Sequence, residues 1–498
     1  MPVLRLLLTL SLVVFCASGG DTVLIVHDDY GIPHIYAHTA AGAAFGTGYA
    51  QAADRAAQLL ENLKSIKPPK APAQLSPQLQ AILAAYCQGV NAYLTENGRA
   101  ERVDVSMVRA FSRAAFGQVP ESNDILIAPS RSRDKSPIAI LAPFGEWSGA
   151  SRLYPMEFET ADGFAFAGAA PVGTPFPLIG HSATIAISAR GLGLAGESAL
   201  DQAWAMITSK KVEQAKRALA MGQLPAQTFL IADAEGSIYD GGSGIENPSS
   251  GVLMSGGGAP QAAAMTRELI DAAHTFSLES AESLALSTDV YKAEAWQARI
   301  ARAAPDSAFA QLLTGWNRRA ETESRGALAF YLFKMALEED SAALEPPASL
   351  SDDRLRSALR KAQDRLETEF PVDAGWGTLF RILRENGKRS WPVGGGTVTV
   401  AGMATPRAIG FRRPGTQMLG HSGLAMLEVV EFSKPVRSTI MTPFGESDSP
   451  ESPHFDDQAR ELFSRSRAAP TWFSDRKNLE KHSKDRKQLE YPPPERRL

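Results

Sequence analysis

The sequence predicts an α+β protein whose sheets are assembled from distant parts of the chain. Residues 40–64 and 79–94 place apolar side chains at intervals near 3.6 residues, the period of an amphipathic helix. Residues 123–238 contain short β-type runs interrupted by glycine and proline, the pattern of an extensive antiparallel sheet system. Helical patterns return over 265–370, and β-type runs return over 374–442. This order favours two sheets packed between layers of helices.

The N-terminal segment has the features of a secretory signal peptide. Arg5 precedes an apolar run over residues 6–16, and small residues follow at 17–20. The run is too short to span a bilayer comfortably, although an uncleaved anchor is the alternative. We therefore expect residues 1–20 to be removed and the protein to be periplasmic or secreted, without an integral membrane span. Only Cys87 then remains, which excludes an intrachain disulfide.

Composition and motifs exclude several classes of function. The chain has 498 residues and a net charge of -4, whereas a nucleic-acid partner usually requires a basic excess. The glycine-rich runs lack the Lys-Ser/Thr of a P-loop and the spacing of a dinucleotide turn. The tripeptide GHS occurs at 180–182 and 420–422 without the second glycine of a nucleophile elbow, so a Ser-His-Asp hydrolase has no motif support.

One serine stands where nucleophilic chemistry is possible. Ser122 and Asn123 come immediately before a β-type run. A serine can act without a histidine if its own α-amino group, with a pKa near 8, supplies the general base. That requires cleavage of the Glu121–Ser122 bond, after which nucleophile and base belong to one residue. Without such cleavage, a Ser-Asn pair before a strand is more often a simple turn.

The chain resembles the penicillin amidase (penicillin acylase) family of N-terminal-nucleophile hydrolases. Residues 22–59 are similar to the opening of that family, with YGIPHI followed by a G-x-GYAQA-x-DR helix. YCQGVNAYL at 86–94 resembles its next signature, and PESN at 120–123 resembles its processing site. Near the end, GGGTVTV, GHSG and FGESDSPESPHFDDQ are most similar to acyl-homoserine lactone and lipopeptide acylases. The similarities run in order over residues 22–475.

This resemblance implies a fold, a maturation step and an activity. The expected core is a four-layer αββα arrangement of two antiparallel sheets between helical layers. Autocatalytic cleavage would divide the chain into a segment over 21–121 and a segment over 122–475, which stay together as an α/β heterodimer. Residues 476–498 would form a charged tail that lies loosely on the surface. The implied activity is that of an acylase, which hydrolyses a linear amide of a small molecule with an aliphatic acyl chain.

The resemblance also implies roles for individual residues. Ser122 matches the nucleophile, and Gly191 falls where the family uses a backbone N–H in the oxyanion hole. The second oxyanion donor of the family is an Asn, which the run GVLMSGGGAP at 251–260 lacks. Ser255 is the candidate replacement, and loss of such a donor elsewhere costs about 100–1000-fold in rate. Arg267 matches an arginine that positions the Asn.

Two departures support an alternative interpretation. Phe144 stands where the most similar acylases have a histidine near the reacting centre, and Glu121 replaces the glycine that commonly precedes the nucleophile. We expect Phe144 and Trp147 to line the acyl or amine pocket. Together with the missing Asn, these departures allow a catalytically weak or inactive relative that serves as a binding or scaffold protein.

The activity requires no cofactor, but family members often bind calcium through carboxylates beside the active site. Glu197 and Asp201 lie near the corresponding region of the sequence. They are the calcium candidates of this chain, and no other metal site is expected.

Overall fold

A computed structural model describes residues 20–70, 73–119, 121–192, 195–224, 228–338, 346–384, 387–483 and 485–492. The predicted signal peptide therefore lies outside the described residues except for Gly20. The α-helices of the described chain are α1 (Ala40–Ser65), α2 (Pro77–Glu96), α3 (Val105–Gly117), α4 (Ala199–Ile207), α5 (Val212–Leu219), α6 (Pro260–Ala272), α7 (Leu278–Ala285), α8 (Ala293–Ala303), α9 (Ala308–Thr314), α10 (Arg325–Glu338), α11 (Asp352–Glu369), α12 (Trp376–Leu379), α13 (Asp457–Glu461) and α14 (Arg476–Leu479).

The strands form three sheets. In chain order they are β1 (Asp21–His27), β2 (Pro33–Ala37), β3 (Gln118–Val119), β4 (Ile125–Ile127), β5 (Ile138–Leu141), β6 (Phe144–Glu146), β7 (Leu153–Thr160), β8 (Ala165–Pro171), β9 (Ile179–His181), β10 (Ile185–Leu192), β11 (Thr228–Asp233), β12 (Ile238–Asp240), β13 (Ile245–Glu246), β14 (Val252–Met254), β15 (Phe380–Leu383), β16 (Ser390–Pro392), β17 (Thr397–Val398), β18 (Met403–Ala404), β19 (Ile409–Arg412), β20 (Met418–Leu424), β21 (Leu427–Glu431), β22 (Arg437–Met441), β23 (Ala469–Pro470) and β24 (Asp485–Tyr491).

Two of these sheets form the predicted sandwich. The larger has the order β13-β12-β11-β10-β9-β8-β7-β2-β1-β24, with β3 paired to β10, and is antiparallel except for the parallel pair of β2 and β7. The second has the order β14-β4-β5-β21-β22-β23 and is antiparallel throughout. Helix α1 packs on the larger sheet at β1, β2 and β7. Helix α7 packs on the second sheet at β5 and β21. The two sheets contact each other where β10 meets β5 and where β11 meets β4. The four-layer αββα prediction is confirmed.

A third sheet was not expected from the sequence. Its order is β16-β15-β20-β19-β17-β18, with β6 paired to β20, and it includes the parallel pairs β15 with β20 and β17 with β19. It joins the helices α8 to α11 around a separate aromatic core that includes Trp296, Phe330, Phe333 and Phe380. The C-terminal β-type runs are therefore divided between this sheet and the sandwich.

Strand β4 places the candidate nucleophile inside the sandwich. Its three residues are fully buried, because Ile125 and Ile127 pack into the core shared with α6 and α7, whereas Leu126 packs into the core facing the larger sheet. Alternate side chains of a strand point to opposite faces, so a short apolar run of this kind suits an interior strand. Ser122 lies just before β4, between β14 and β5.

The C-terminal segment differs from its prediction. The sequence indicated a charged tail lying loosely on the surface after Ser474, but Asp485–Tyr491 form β24 and pair with all of β1. Within β24, Leu489 packs against the main core and Tyr491 is buried within it. These alternating apolar positions add a strand despite the many charges around them. Among the described residues, no helix combines the length and apolar character needed to cross a membrane.

Candidate active site

Ser122 is held just before β4 by backbone pairing on one side and a glycine turn on the other. It forms an isolated antiparallel bridge with Pro143, and its side chain is fully buried. The next residue, Asn123, donates its backbone N–H to the Ala142 carbonyl oxygen over 3.0 Å. On the other side, the N–H of Gly257 donates to the Ser122 carbonyl oxygen over 2.9 Å.

The Ser122 hydroxyl donates a short hydrogen bond to the Asp124 carboxylate. The same carboxylate oxygen, Oδ2, accepts a hydrogen bond from the Ser188 hydroxyl, and the other oxygen, Oδ1, accepts from the Ala142 N–H over 2.6 Å. Burial raises the pKa of Asp124, while the hydrogen bonds from Ser122, Ser188 and Ala142 act in the opposite direction. The Ser122 hydroxyl therefore has a carboxylate within hydrogen-bond distance.

Ser255, the candidate replacement for the oxyanion Asn, lies in this site. Its Oγ lies 3.2 Å from the Ser122 Oγ, donates to the Ser122 carbonyl oxygen over 2.7 Å and accepts from the Asp124 N–H over 2.8 Å. Arg190 donates from its guanidinium to the Ser255 carbonyl oxygen. The structure thus brings Ser255 to Ser122, with the Ser255 hydroxyl proton directed at the Ser122 carbonyl oxygen.

The carbonyl group that precedes Ser122 is also held in place. The Glu121 carbonyl oxygen accepts a hydrogen bond from the Phe144 N–H over 2.7 Å. The Glu121 carboxylate accepts from the Gly258 N–H over 2.8 Å. This carbonyl is the one that Ser122 would attack in self-cleavage, so Phe144 supplies a backbone donor where negative charge would develop.

Gly191 lies on β10 opposite β3, the strand that precedes the predicted cleavage site. It pairs with Val119 of β3, and Leu192 pairs with Gln118. The oxyanion role of the Gly191 N–H stays a prediction. Ser188 and Arg190, which contact the site, come from the same strand.

Phe144 lines an apolar cavity together with Pro143, the residue that bridges to Ser122, and we call this cavity the Phe144 pocket. The cavity has a volume of about 40 Å³. Its lining includes Phe116, Pro143, Phe144, Leu178, Ile179 and Ala425. Pro143 connects the pocket directly to Ser122 through their backbone bridge.

Trp147 does not line the Phe144 pocket. Its indole is 3% exposed, packs edge-on against Phe444 and Phe463, and donates from Nε1 to the Leu424 carbonyl oxygen over 3.1 Å. These contacts hold the ring in the core on the helix side of the second sheet. Trp147 therefore lies outside the Phe144 pocket, and its place in an acyl or amine pocket stays a prediction.

Arg267 is also away from the nucleophile. Its side chain is exposed on α6, and the structure gives it no hydrogen bond or ion pair with the described residues. The preceding residue, Thr266, is the one that faces inward and accepts a hydrogen bond from the Asn123 amide at 3.3 Å. Arg190 is the arginine that contacts the Ser255 segment.

The two calcium candidates are engaged in other contacts. Glu197 forms ion pairs with Arg113 and, at 3.6 Å, with Arg109. Asp201 accepts a hydrogen bond from the Ser76 N–H at 3.3 Å. No group of three or more His, Cys, Asp or Glu side chains within the described ranges is arranged to hold a metal ion. Because guanidinium groups already neutralise Glu197, this pair does not fit a calcium site.

Three site residues were missed in the sequence: Asp124, Ser188 and Arg190. Asp124 left a signal, because an acidic residue two positions after the candidate nucleophile opens an otherwise apolar run. Ser188 and Arg190 have no such signal in the sequence, because their contacts with the site depend on the packing of β10 against the second sheet. Only the tertiary packing brings these residues to Ser122.

The sandwich with a buried serine at the start of an interior strand is the arrangement expected of an N-terminal-nucleophile hydrolase. The chain belongs to the penicillin amidase family, whose model matches residues 22–66, 99–189 and 248–480. At the level of the family, this membership supports an acylase-type amidohydrolase.

The chain also aligns structurally with a thermostable penicillin G acylase from Alcaligenes faecalis. The sequence identity is 12%, the alignment covers 70% of this chain and 96% of that chain, and the TM-score is 0.47. No curated protein matches the chain significantly. The particular similarity to acyl-homoserine lactone and lipopeptide acylases stays a prediction.

Proposed function

We propose that the protein is an amidohydrolase that cleaves its own Glu121–Ser122 bond and then hydrolyses a linear amide through an ester on Ser122. The observation that carries this proposal is the buried Ser122 hydroxyl, hydrogen-bonded to Asp124, beside a Glu121 carbonyl that accepts the Phe144 N–H. A nucleophile, a proton acceptor and an oxyanion donor thus surround the bond to be cleaved.

Cleavage converts Ser122 into a chain start. Its new α-amino group then serves as the general base, so the mature reaction needs no cofactor. The Ser122 Oγ attacks the substrate carbonyl, the amine leaves, and water hydrolyses the acyl ester. We propose the Gly191 N–H as one oxyanion donor. Since β3 pairs with β10 at Gly191 in the uncleaved chain, β3 has to move before a substrate can use that strand edge.

The Phe144 pocket suggests the substrate class. Its lining is mostly apolar and its volume is about 40 Å³, which suits a short aliphatic part of an acyl group rather than a charged one. We therefore propose a small-molecule amide with a compact apolar acyl group. The features of residues 1–20 lead us to propose export to the periplasm or the medium.

A binding or scaffold role is the second candidate. It is favoured by Ser255 at the place of the expected Asn and by the complete burial of Ser122 in the uncleaved chain. In that case the chain would retain the Glu121–Ser122 bond and the closed site.

The chain pattern of the purified protein tests these two candidates. Denaturing electrophoresis of protein from its native compartment, followed by N-terminal sequencing, should show a fragment that begins at Ser122. The matched variant Ser122→Ala should remain a single chain, because no hydroxyl is present to attack the Glu121 carbonyl. An intact wild-type chain would favour the binding role.

A further inference from the structure

Self-cleavage needs a proton acceptor that the mature mechanism does not provide. Before cleavage, the Ser122 nitrogen is part of an amide and has no basic lone pair, so the α-amino group cannot yet act as a base. Any base for this first step has to come from elsewhere in the folded chain. The groups in contact with the Ser122 hydroxyl are therefore the ones to consider.

Among the residues that the structure describes, two side chains form hydrogen bonds with the Ser122 hydroxyl, those of Asp124 and Ser255. The Ser255 hydroxyl directs its proton to the Ser122 carbonyl oxygen and accepts the Asp124 N–H, and a neutral hydroxyl is a poor base. The Asp124 carboxylate directly accepts a hydrogen bond from the Ser122 hydroxyl. Geometry and basicity both favour the carboxylate.

The surroundings of Asp124 preserve its role as an acceptor. The side chain is buried, and every hydrogen bond that the structure gives to its carboxylate comes from a neutral donor, namely Ser122, Ser188 or the Ala142 N–H. On the neighbouring segments, Arg190 of β10 attracts the carboxylate electrostatically, and the Glu121 carboxylate is held by Gly258. A carboxylate that is not neutralised by direct contact with a cation stays more basic than one in an ion pair.

We propose that Asp124 is the general base of self-cleavage, a role that rests on the proposed cleavage of the Glu121–Ser122 bond. As the Ser122 Oγ bonds to the Glu121 carbonyl carbon, its proton passes to the Asp124 Oδ2, and the Phe144 N–H holds the oxyanion. The bond from that carbon to the Ser122 nitrogen then breaks, and Asp124 returns the proton to the nitrogen. Water hydrolyses the ester. The products are a main-chain carboxylate at Glu121, which is a new chain end, and a free Ser122 hydroxyl.

The experiment follows cleavage of the full chain after cell-free synthesis, by denaturing electrophoresis over a range of pH. The wild-type rate should rise with pH as Asp124 ionises. Asp124→Asn keeps the size of the side chain but removes the base, so cleavage should slow by about 100-fold or more and lose this pH dependence. Ser188→Ala removes one hydrogen bond to the charged carboxylate, so it should still cleave, with its midpoint shifted to higher pH.

A thiol distinguishes a catalytic from a merely structural role. Cysteine ionises with a pKa of about 8.5 and needs less help from a base, so the double variant Ser122→Cys with Asp124→Asn should regain cleavage at alkaline pH. The single variant Ser122→Cys is its control. If the double variant fails where the single variant cleaves, or if Asp124→Asn cleaves with the wild-type rate and pH profile, Asp124 is not the base. A wild-type chain that never cleaves would instead overturn the proposed function.

Discussion

The hydroxyl of Ser255 donates a hydrogen bond to the carbonyl oxygen of Ser122 over 2.7 Å. Ser255 belongs to the run in which the family resemblance places an oxyanion Asn, but in this structure its hydroxyl is bonded to the backbone of Ser122. The two hydroxyl oxygens lie only 3.2 Å apart, so a longer amide side chain at position 255 would extend toward the reacting centre.

Our first prediction restores the missing donor. In cleaved Ser255→Asn, the amide group should stabilise the developing oxyanion and raise the acylation rate constant by up to about 100-fold. Single-turnover kinetics with a chromogenic aliphatic amide measures this change, which should leave ground-state binding nearly constant. Ser255→Ala is the control for loss of the hydroxyl, and Ser122→Ala is the blank. A rate no greater than that of Ser255→Ala would contradict the prediction.

The second prediction concerns Gly257, whose N–H donates to the Ser122 carbonyl oxygen. A Cβ at this position would collide with the Ser122 carbonyl oxygen and lie 2.8 Å from the Ser122 nitrogen. We expect Gly257→Ala to displace the nucleophile, prevent self-cleavage and lower the melting temperature. Gly415→Ala is the matched control, because a Cβ there has no neighbour within 4 Å. Normal cleavage of Gly257→Ala would show that the turn can move.

The third prediction addresses substrate length. Phe144→Ala should enlarge the Phe144 pocket, because the ring forms part of its wall. Each additional methylene buried in the larger pocket contributes about 0.8 kcal/mol, so the preferred acyl chain should lengthen and kcat/KM for longer chains should rise by about fourfold per methylene. A series of straight-chain acyl amides provides the measurement. An unchanged optimum would place the acyl site elsewhere.

The fourth prediction uses two fully buried histidines. The His34 Nδ1 lies 3.0 Å from the Glu157 carboxylate and its Nε2 lies 3.9 Å from that of Asp28. Burial alone would lower the pKa of His34, but the two carboxylates raise it to about 9. Because the folded-state pKa exceeds the unfolded value of about 6.5, this contribution to stability is full below pH 6.5 and disappears as pH rises through 9.

Chemical denaturation between pH 6.5 and 9.5 tests this linkage. The wild-type free energy of unfolding should fall by up to about 3 kcal/mol more than that of His34→Gln over this range. His181→Gln is the matched control, because burial lowers the pKa of His181 to about 4 and leaves it neutral throughout. Parallel curves for wild type and His34→Gln would show that His34 carries no charge in the folded protein.

Local patterns predicted much of this fold. Helices α1 and α2 follow from their apolar period, and the glycines of the family signature have a visible purpose. A side chain at Gly48 would collide with the Tyr86 carbonyl, and one at Gly89 would collide with the Phe45 carbonyl, so these glycines allow the two helices to approach closely. The interior position of β4 likewise follows from its apolar run.

What the sequence did not predict depends on contacts between distant segments. The third sheet pairs β6 with β20, two strands whose separation along the chain leaves no local pattern. Ser188 reaches Asp124 only because β10 faces the second sheet. In the same way, the charged residues of β24 have the pattern of a solvated tail. They form a strand because they pair with the distant strand β1.

The position of β1 and β2 determines how the proposed mature protein can arise. Both strands precede Glu121, whereas β7 and β24, which flank them in the larger sheet, follow Ser122. A cut at this bond leaves two polypeptides that share one sheet, and neither retains that sheet alone. Pieces synthesised separately would expose unpaired strand edges and tend to aggregate. Pieces produced by cleavage of a folded chain already have β1 and β2 paired with β24 and β7. The continuous chain therefore establishes the strand pairing before the bond is cut.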